Sequence, residues 1–116
     1  MRFELRWTRS AKETYEELRK RALQATEARL KAGETKARKA EGLFKQVAKC
    51  VDLLAQNPRH PGLQTHAFDS IEHPYQKDQK VFEAYVQNQT PGAYRLFWCY
   101  GPGKGEITII AVTPHP

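Results

Sequence analysis

The chain has 116 residues, of which 40% are hydrophobic and 28% are charged. This length predicts one domain with one core, and this composition excludes an intrinsically disordered chain. No apolar stretch approaches the roughly 20 residues that cross a bilayer, and charges interrupt the N-terminus where a secretion signal would be apolar. We therefore expect a single domain over residues 1–116 that stays in the cytoplasm.

The net charge of +6 is unevenly distributed. Residues 1–60 carry a balance of +7, whereas residues 61–116 carry a balance of −1. A basic half favours a polyanionic partner such as nucleic acid, because neutralised phosphates release their counterions. A solvated helix surface kept soluble by its charge explains the same numbers equally well, so composition leaves both interpretations open.

The chain begins with a strand and a first helix. Residues 3–7 alternate apolar and charged side chains, which predicts a half-buried strand. Ser10 and Glu13 have the spacing of a capping box, so a helix is predicted to begin there. Its apolar stripe runs from Ala11 to Arg29 in steps of three and four residues. Gly33 is a natural end for this helix.

A second helix follows, with an apolar stripe from Ala37 to Leu54. Gly42 inside this stripe is expected to mark a close approach of the two helices. Asn57 and Pro58 end the helix, because the residue before a proline is pushed out of the helical region. The two stripes predict an antiparallel helical hairpin.

The second half of the chain predicts a sheet. Residues 58–80 are irregular and polar, and three strand-like runs follow at residues 81–87, 94–100 and 106–113. Turn-forming residues join the runs, so a three-stranded antiparallel meander is expected. The fold class is therefore α+β, in the order β-α-α-β-β-β. The helical hairpin would cover one face of the sheet, and the other face, with Arg95, would be open.

Both cysteines, Cys50 in the second helix and Cys99 in the middle meander strand, are expected to be reduced core residues. No spacing of cysteines and histidines forms a zinc pattern, although His60, His66 and His73 fall in the irregular segment. We expect no metal site and no cofactor.

Three local features stand out in this order of elements: Asn57-Pro58 after the second helix, Tyr94-Arg95-Leu96 in the central strand, and His115 at the end. With these features, the chain resembles the RelE/ParE superfamily of toxins from type II toxin–antitoxin pairs. The resemblance spans essentially the whole chain, but its motifs are short. Both the helical region and the segment 58–80 are longer than is typical of that family.

The resemblance implies one of two activities. RelE-like and YoeB-like members cut mRNA, usually on the ribosome, whereas ParE-like members bind and inhibit DNA gyrase. A third alternative is a non-toxic binding module with the same fold. A cognate antitoxin is the partner that the resemblance implies in the first two cases.

RNA cleavage through the ribose 2′-hydroxyl requires a base, a cation on the phosphoryl oxygens and an acid for the leaving oxygen, and it requires no metal because the RNA supplies the nucleophile. Arg95 matches the family's central-strand arginine, and His115 matches a C-terminal histidine that transfers protons in YoeB-like members. Glu83 is the candidate base, and an ion pair with Arg95 is its alternative role. A tail residue without a site is the alternative for His115.

Four more residues are candidates for substrate binding. Tyr85 shares a strand face with Glu83 and could stack on a base, although packing is the alternative. His66 could fold over the site from the irregular segment. Lys77 and Lys80 could hold RNA phosphates or merely solvate a loop. The sequence therefore favours a RelE-like endoribonuclease with Arg95, His115 and Glu83 as its catalytic residues.

Overall fold

The structure, a computed structural model, describes residues 2–88 and 90–115. The elements are β1 (Glu4–Trp7), α1 (Arg9–Lys31), α2 (Lys39–Gln56), a 3-10 turn (Pro61–Leu63), β2 (His66–Ala67), β3 (Phe82–Tyr85), β4 (Tyr94–Tyr100) and β5 (Glu106–Pro114). The predicted α+β class is confirmed, and the short strand β2 is an addition to the predicted order. Among the described residues, no helix is long and apolar enough to cross a membrane.

The sheet has the strand order β1-β5-β4-β3-β2. The meander strands are antiparallel, and β2 pairs antiparallel with the edge of β3. β1 lies parallel to β5, so the helical hairpin connects the first strand to the opposite side of the meander. Phe97 faces Ala111 while Trp98 faces Ile109, which leaves Ile110 as the extra residue of a β-bulge.

The helical hairpin begins at Thr8, whose hydroxyl accepts from the Ala11 N–H at 3.1 Å and donates to the Ile110 carbonyl at 2.7 Å. The predicted capping box at Ser10 is therefore wrong, because Thr8 both caps the helix and ties it to β5. Ala32 ends α1 and is followed by Gly33 at a φ of +70°, as the sequence predicted.

The second helix ends at Asn57, as predicted. Gly42 does not mark a close helix approach, because a Cβ atom built on it would meet no atom of the described residues within 4 Å apart from its own helix backbone and chain neighbours. That prediction is wrong.

The helices cover one face of the sheet, here called the first face. Its buried core combines helix residues with alternate residues of the strands: Ala11, Leu18, Val47, Cys50, Val51, Leu54, Ala84, Leu96, Trp98, Ile107, Ile109 and Val112. The burial of Cys50 and Cys99 agrees with their predicted place in the core.

The opposite face, here called the second face, is not open as predicted. Phe68 and Ile71 from the irregular segment pack on Phe97 and Cys99, which are fully buried, and on Val81. We call this apolar half the closed end. Polar contacts also hold the segment. The Tyr75 hydroxyl donates to Thr108 Oγ1 at 2.9 Å, and the Thr108 hydroxyl in turn donates to the Gly101 carbonyl.

Candidate active site on the second face of the sheet

The other half of the second face is polar. Five side chains meet there and are called the polar cluster: His66 from β2, Glu83 and Tyr85 from β3, Arg95 from β4 and His115 after β5. The pleat of the strands explains the grouping, since Phe82 and Ala84 between and beside them pack on the first face. All five are candidates from the sequence, and the structure brings them together.

Glu83 is the centre of the polar cluster, and its side chain is only 4% exposed. His66 Nε2 lies 2.6 Å from one carboxylate oxygen, Oε1, and His115 Nδ1 lies 3.5 Å from the other, Oε2. The second distance is short enough for an ion pair but does not make a hydrogen bond, so Oε2 has no hydrogen-bond partner among the described residues. A buried carboxylate needs compensating charge, which the two imidazoles supply when protonated.

His66 is placed by strand pairing, because it lies directly opposite Glu83 in the β2–β3 ladder. Its second ring nitrogen, Nδ1, lies 3.1 Å from the Gln64 carbonyl oxygen. The ring also meets the Tyr85 ring edge to face, with the centroids 5.7 Å apart. His66 is thus fixed on three sides while its side chain remains 48% exposed.

His115 is held in place by its backbone. Its N–H donates to the Ala93 carbonyl at 2.8 Å, which continues the pairing of β5 with the start of β4. The side chain is 48% exposed, so its imidazole can meet solvent or a ligand while it faces Glu83.

Arg95 lies on the second face, as predicted, but it is only 6% exposed rather than open to solvent. Its guanidinium carbon lies 3.8 Å from the centre of the Tyr85 ring, a cation–π contact that covers the charge. Nη1 donates to the Gln87 and Tyr94 carbonyls, whereas Nε is buried without a partner among the described residues. The alternative of a Glu83–Arg95 ion pair is not what forms, since the charged contacts of Glu83 are with the histidines.

The structure does not bring the two candidate lysines to the polar cluster. Lys77 is 89% exposed and faces Glu72 at 4.0 Å. Lys80 lines a surface depression with Phe82 and Tyr100, whose side chains belong to the first face. Their predicted role with RNA phosphates gains no support from this placement.

The remaining two histidines of the irregular segment have structural contacts. His60 Nδ1 accepts from the Gly62 N–H at 2.9 Å. His73 is buried, and its Nδ1 accepts from the N–H groups of Tyr75 and Gln76 while Nε2 faces the Tyr100 carbonyl. Within residues 2–88 and 90–115, no three histidine, cysteine or acidic side chains are grouped to hold a metal ion.

Two supporting residues were missed by the sequence analysis. The Gln87 carbonyl holds the Arg95 guanidinium, and the Gln64 carbonyl holds the His66 ring. Both act through backbone oxygens, which every residue has, so no side-chain pattern could have revealed them.

The sequence matches no protein-family model and no curated protein. Solved structures do match over nearly the whole chain. A YoeB/ParE toxin from Agrobacterium tumefaciens has a TM-score of 0.61 at 10% identity, covering 97% of this chain and 99% of its own. The YoeB dimer from Staphylococcus aureus has a TM-score of 0.56 at 11% identity, with both chains covered completely.

A third structure, the archaeal RelE–RelB complex from Pyrococcus horikoshii OT3, has a TM-score of 0.56 at 13% identity and covers 98% of this chain and 96% of the matched one. All three neighbours superpose on this chain over nearly its whole length. This chain therefore has the fold of these YoeB/ParE and RelE structures.

Proposed function

We propose that this chain is the toxin of a cytoplasmic toxin–antitoxin pair and cuts mRNA by a metal-independent reaction. One observation carries the proposal: Glu83 Oε2 is a buried acceptor and Arg95 Nε a buried donor, and neither has a partner among the described residues. Native proteins leave few such atoms unpaired, and catalytic sites are among the exceptions. An RNA phosphodiester complements both atoms, since its 2′-hydroxyl donates and its phosphoryl oxygens accept.

The proposed reaction is a transfer within the RNA. Glu83 Oε2 accepts the proton of the 2′-hydroxyl while the 2′ oxygen forms a bond to the adjacent phosphorus. The bond from phosphorus to the 5′ oxygen breaks, and His115 donates a proton to that oxygen. The products are a 2′,3′-cyclic phosphate and a 5′-hydroxyl, with one proton gained by Glu83 and one lost by His115.

Arg95 is the proposed cation for the phosphoryl oxygens. Its guanidinium is always charged, and the Tyr85 ring and the two backbone carbonyls fix its orientation before substrate arrives. One face of the Tyr85 ring is already occupied by this contact. The stacking of Tyr85 on an RNA base therefore remains a prediction, secondary to holding Arg95.

The helical hairpin supports a nucleic-acid partner. Residues 9–56, which form the hairpin, hold twelve basic and seven acidic side chains, so +5 of the net charge of +6 lies there. Such a surface attracts the backbone of mRNA or ribosomal RNA. The RelE–RelB neighbour supports an antitoxin as the second partner.

The test compares wild type with His115→Ala in a translation extract and, in a separate reaction that contains EDTA, on labelled mRNA. Wild type should cut the RNA and block translation, and loss of the proton donor should slow cleavage by about 10²–10⁴-fold. His60→Ala is the matched control, because His60 contacts the Gly62 backbone and not the polar cluster. Cleavage by His115→Ala at the wild-type rate would remove the role assigned to His115, and absence of cleavage by wild type would contradict the proposed nuclease.

A gyrase supercoiling assay with the same preparations addresses the alternative of a ParE-like inhibitor. Inhibition of supercoiling without RNA cleavage would replace the nuclease by a toxin that acts through binding. Failure of the wild-type chain to inhibit translation, supercoiling or growth would leave a non-toxic module of this fold.

A further inference from the structure

We propose that His66 is a positioning residue that clamps Oε1 of Glu83 and so leaves Oε2 as the atom that meets the substrate. The inference rests on the proposed nuclease function and adds a group from β2 and the irregular segment to its site. It is carried by the 2.6 Å contact between His66 Nε2 and Glu83 Oε1 and by the absence of a hydrogen-bond partner for Oε2 among the described residues.

The surroundings of His66 are built to hold it. Gln64, whose carbonyl meets the ring, has a left-handed φ of 48° after the 3-10 turn, and its side-chain amide donates to Asn88 Oδ1 at 3.2 Å. Both ring nitrogens of His66 therefore face oxygen acceptors. These two contacts fix the orientation of the imidazole ring beside Glu83.

The contact with His66 matters because a general base must be held within hydrogen-bond reach of the proton that it removes. The charged or titratable groups of the polar cluster are His66 on β2, Glu83 and Tyr85 on β3, Arg95 on β4 and His115 after β5. Arg95 gives its hydrogen bonds to backbone carbonyls, and His115 lies at 3.5 Å without hydrogen-bond geometry. His66 is thus the group that orients the Glu83 carboxylate.

The first experiment measures single-turnover RNA cleavage across pH for His66→Gln, His66→Ala and wild type. The glutamine amide reaches close to the position of Nε2, so it keeps the hydrogen bond without an ionisable ring. His66→Ala should lose about 100-fold in rate, as expected for a misplaced catalytic group. His66→Gln should recover much of this loss, because its amide can still donate to Glu83 Oε1.

His60→Gln is the matched control, since it changes a histidine of the same segment that does not contact Glu83. Two results would overturn the inference. One is a His66→Ala rate within about twofold of wild type at every pH, far short of the loss expected from misplacement. The other is a His66→Gln rate as low as that of His66→Ala throughout, which would mean that the imidazole itself contacts the RNA.

A substrate with sulfur in place of the 5′ oxygen separates His66 from the proton donor, because a thiolate leaves without protonation. This substrate should restore His115→Ala and leave His66→Ala slow. Restoration of His66→Ala would identify His66 as the acid and contradict a positioning role.

The clamp can be tested without RNA, which distinguishes its failure from that of the nuclease proposal. NMR spectra of the ¹⁵N-labelled chain should show a slowly exchanging Nε2 proton on His66 that disappears in Glu83→Ala. If wild type does not cut RNA, the nuclease proposal is refuted. If the spectrum of wild type lacks the slowly exchanging Nε2 proton of His66, the positioning role of His66 is refuted.

Discussion

The closed end and the polar cluster lie on the same face of the same strands, yet they have opposite chemistry. Glu83 pairs with Phe97 across the β3–β4 ladder, and the next facing pair is Tyr85 with Arg95. At the closed end, Phe68 covers Phe97 with ring centroids 4.7 Å apart. At the polar cluster, two half-exposed imidazoles cover a carboxylate whose Oε2 has no hydrogen-bond partner in the part of the chain that the structure describes.

On this one surface, the closed end contributes to stability and the polar cluster contributes the candidate chemistry. Apolar burial at the closed end stabilises the fold, whereas unpaired polar atoms at the polar cluster cost free energy that a well-packed apolar substitute would not. The irregular segment serves both regions, since Phe68 and Ile71 seal one and His66 completes the other. The length of this segment therefore lets it cover both regions of the second face.

The largest expected effect is on the closed end. Phe97→Ala should lower the free energy of unfolding by about 3–5 kcal/mol, because the ring is 1% exposed and its removal leaves a cavity. Urea unfolding measures this loss, and Tyr100→Ala on the same strand, 41% exposed, should cost clearly less. Equal losses in the two variants would show that the segment 68–71 does not seal the sheet.

The polar cluster should respond in activity instead. Arg95→Lys should reduce single-turnover RNA cleavage by about 100-fold, because lysine lacks the planar fork that stacks on Tyr85 and presents Nε. The same assay on Arg59→Lys, an exposed arginine in the irregular segment, provides the matched control. A conservative Arg95→Lys variant with the wild-type rate would remove Arg95 from the reaction.

The two cysteines report on the two faces independently. Burial raises the pKa of Cys99 to about 11 and that of Cys50 to about 12 from an ordinary value of 9.0, so the native chain should react very slowly with a thiol reagent at pH 8. Phe68→Ala should open the closed end and speed the labelling of Cys99, while Cys50 under the helices stays protected. Mass spectrometry of labelled peptides distinguishes them, and simultaneous exposure of both would indicate global unfolding instead.

The smallest effect lies outside both regions. Gly42→Ala should raise the free energy of unfolding by about 0.5–1 kcal/mol, because α2 gains helix propensity and the new methyl group meets no neighbouring atom. Thermal or urea unfolding measures the gain, and RNA cleavage should stay at the wild-type level. A destabilised variant would show that the space beside Gly42 is needed.

The elements that could be predicted are those with a periodic sequence pattern or a helix-breaking residue. The helical stripes, the end of α2 at Asn57 and the meander all follow from periodicity or from a proline. The parallel pairing of β1 with β5 and the two-residue strand β2 depend on contacts distant in sequence, which leave no periodic pattern. The helix cap is Thr8 and not Ser10, which the sequence pattern could not reveal, because the Thr8 hydroxyl also bonds to the distant strand β5.

The sequence predicted which side chains form the site, but it did not predict how deeply they are buried or what covers them. Glu83, Tyr85, Arg95, His66 and His115 were named from residue type and order, and they do meet. The burial of Arg95 was missed because strand alternation predicts which face a residue occupies and not what covers it. Lys77 and Lys80 were named for their charge alone, and charge does not determine where a loop residue points.

The most direct test of the account uses an RNA oligonucleotide cut by the wild-type chain and a copy with a single 2′-deoxy sugar at the scissile position. If Glu83 removes a proton from the 2′-hydroxyl, the all-ribose strand is cut to a 2′,3′-cyclic phosphate, seen by mass spectrometry, and the deoxy copy stays intact at that position. Cleavage of both strands at the same bond and rate would contradict the proposed chemistry of the polar cluster.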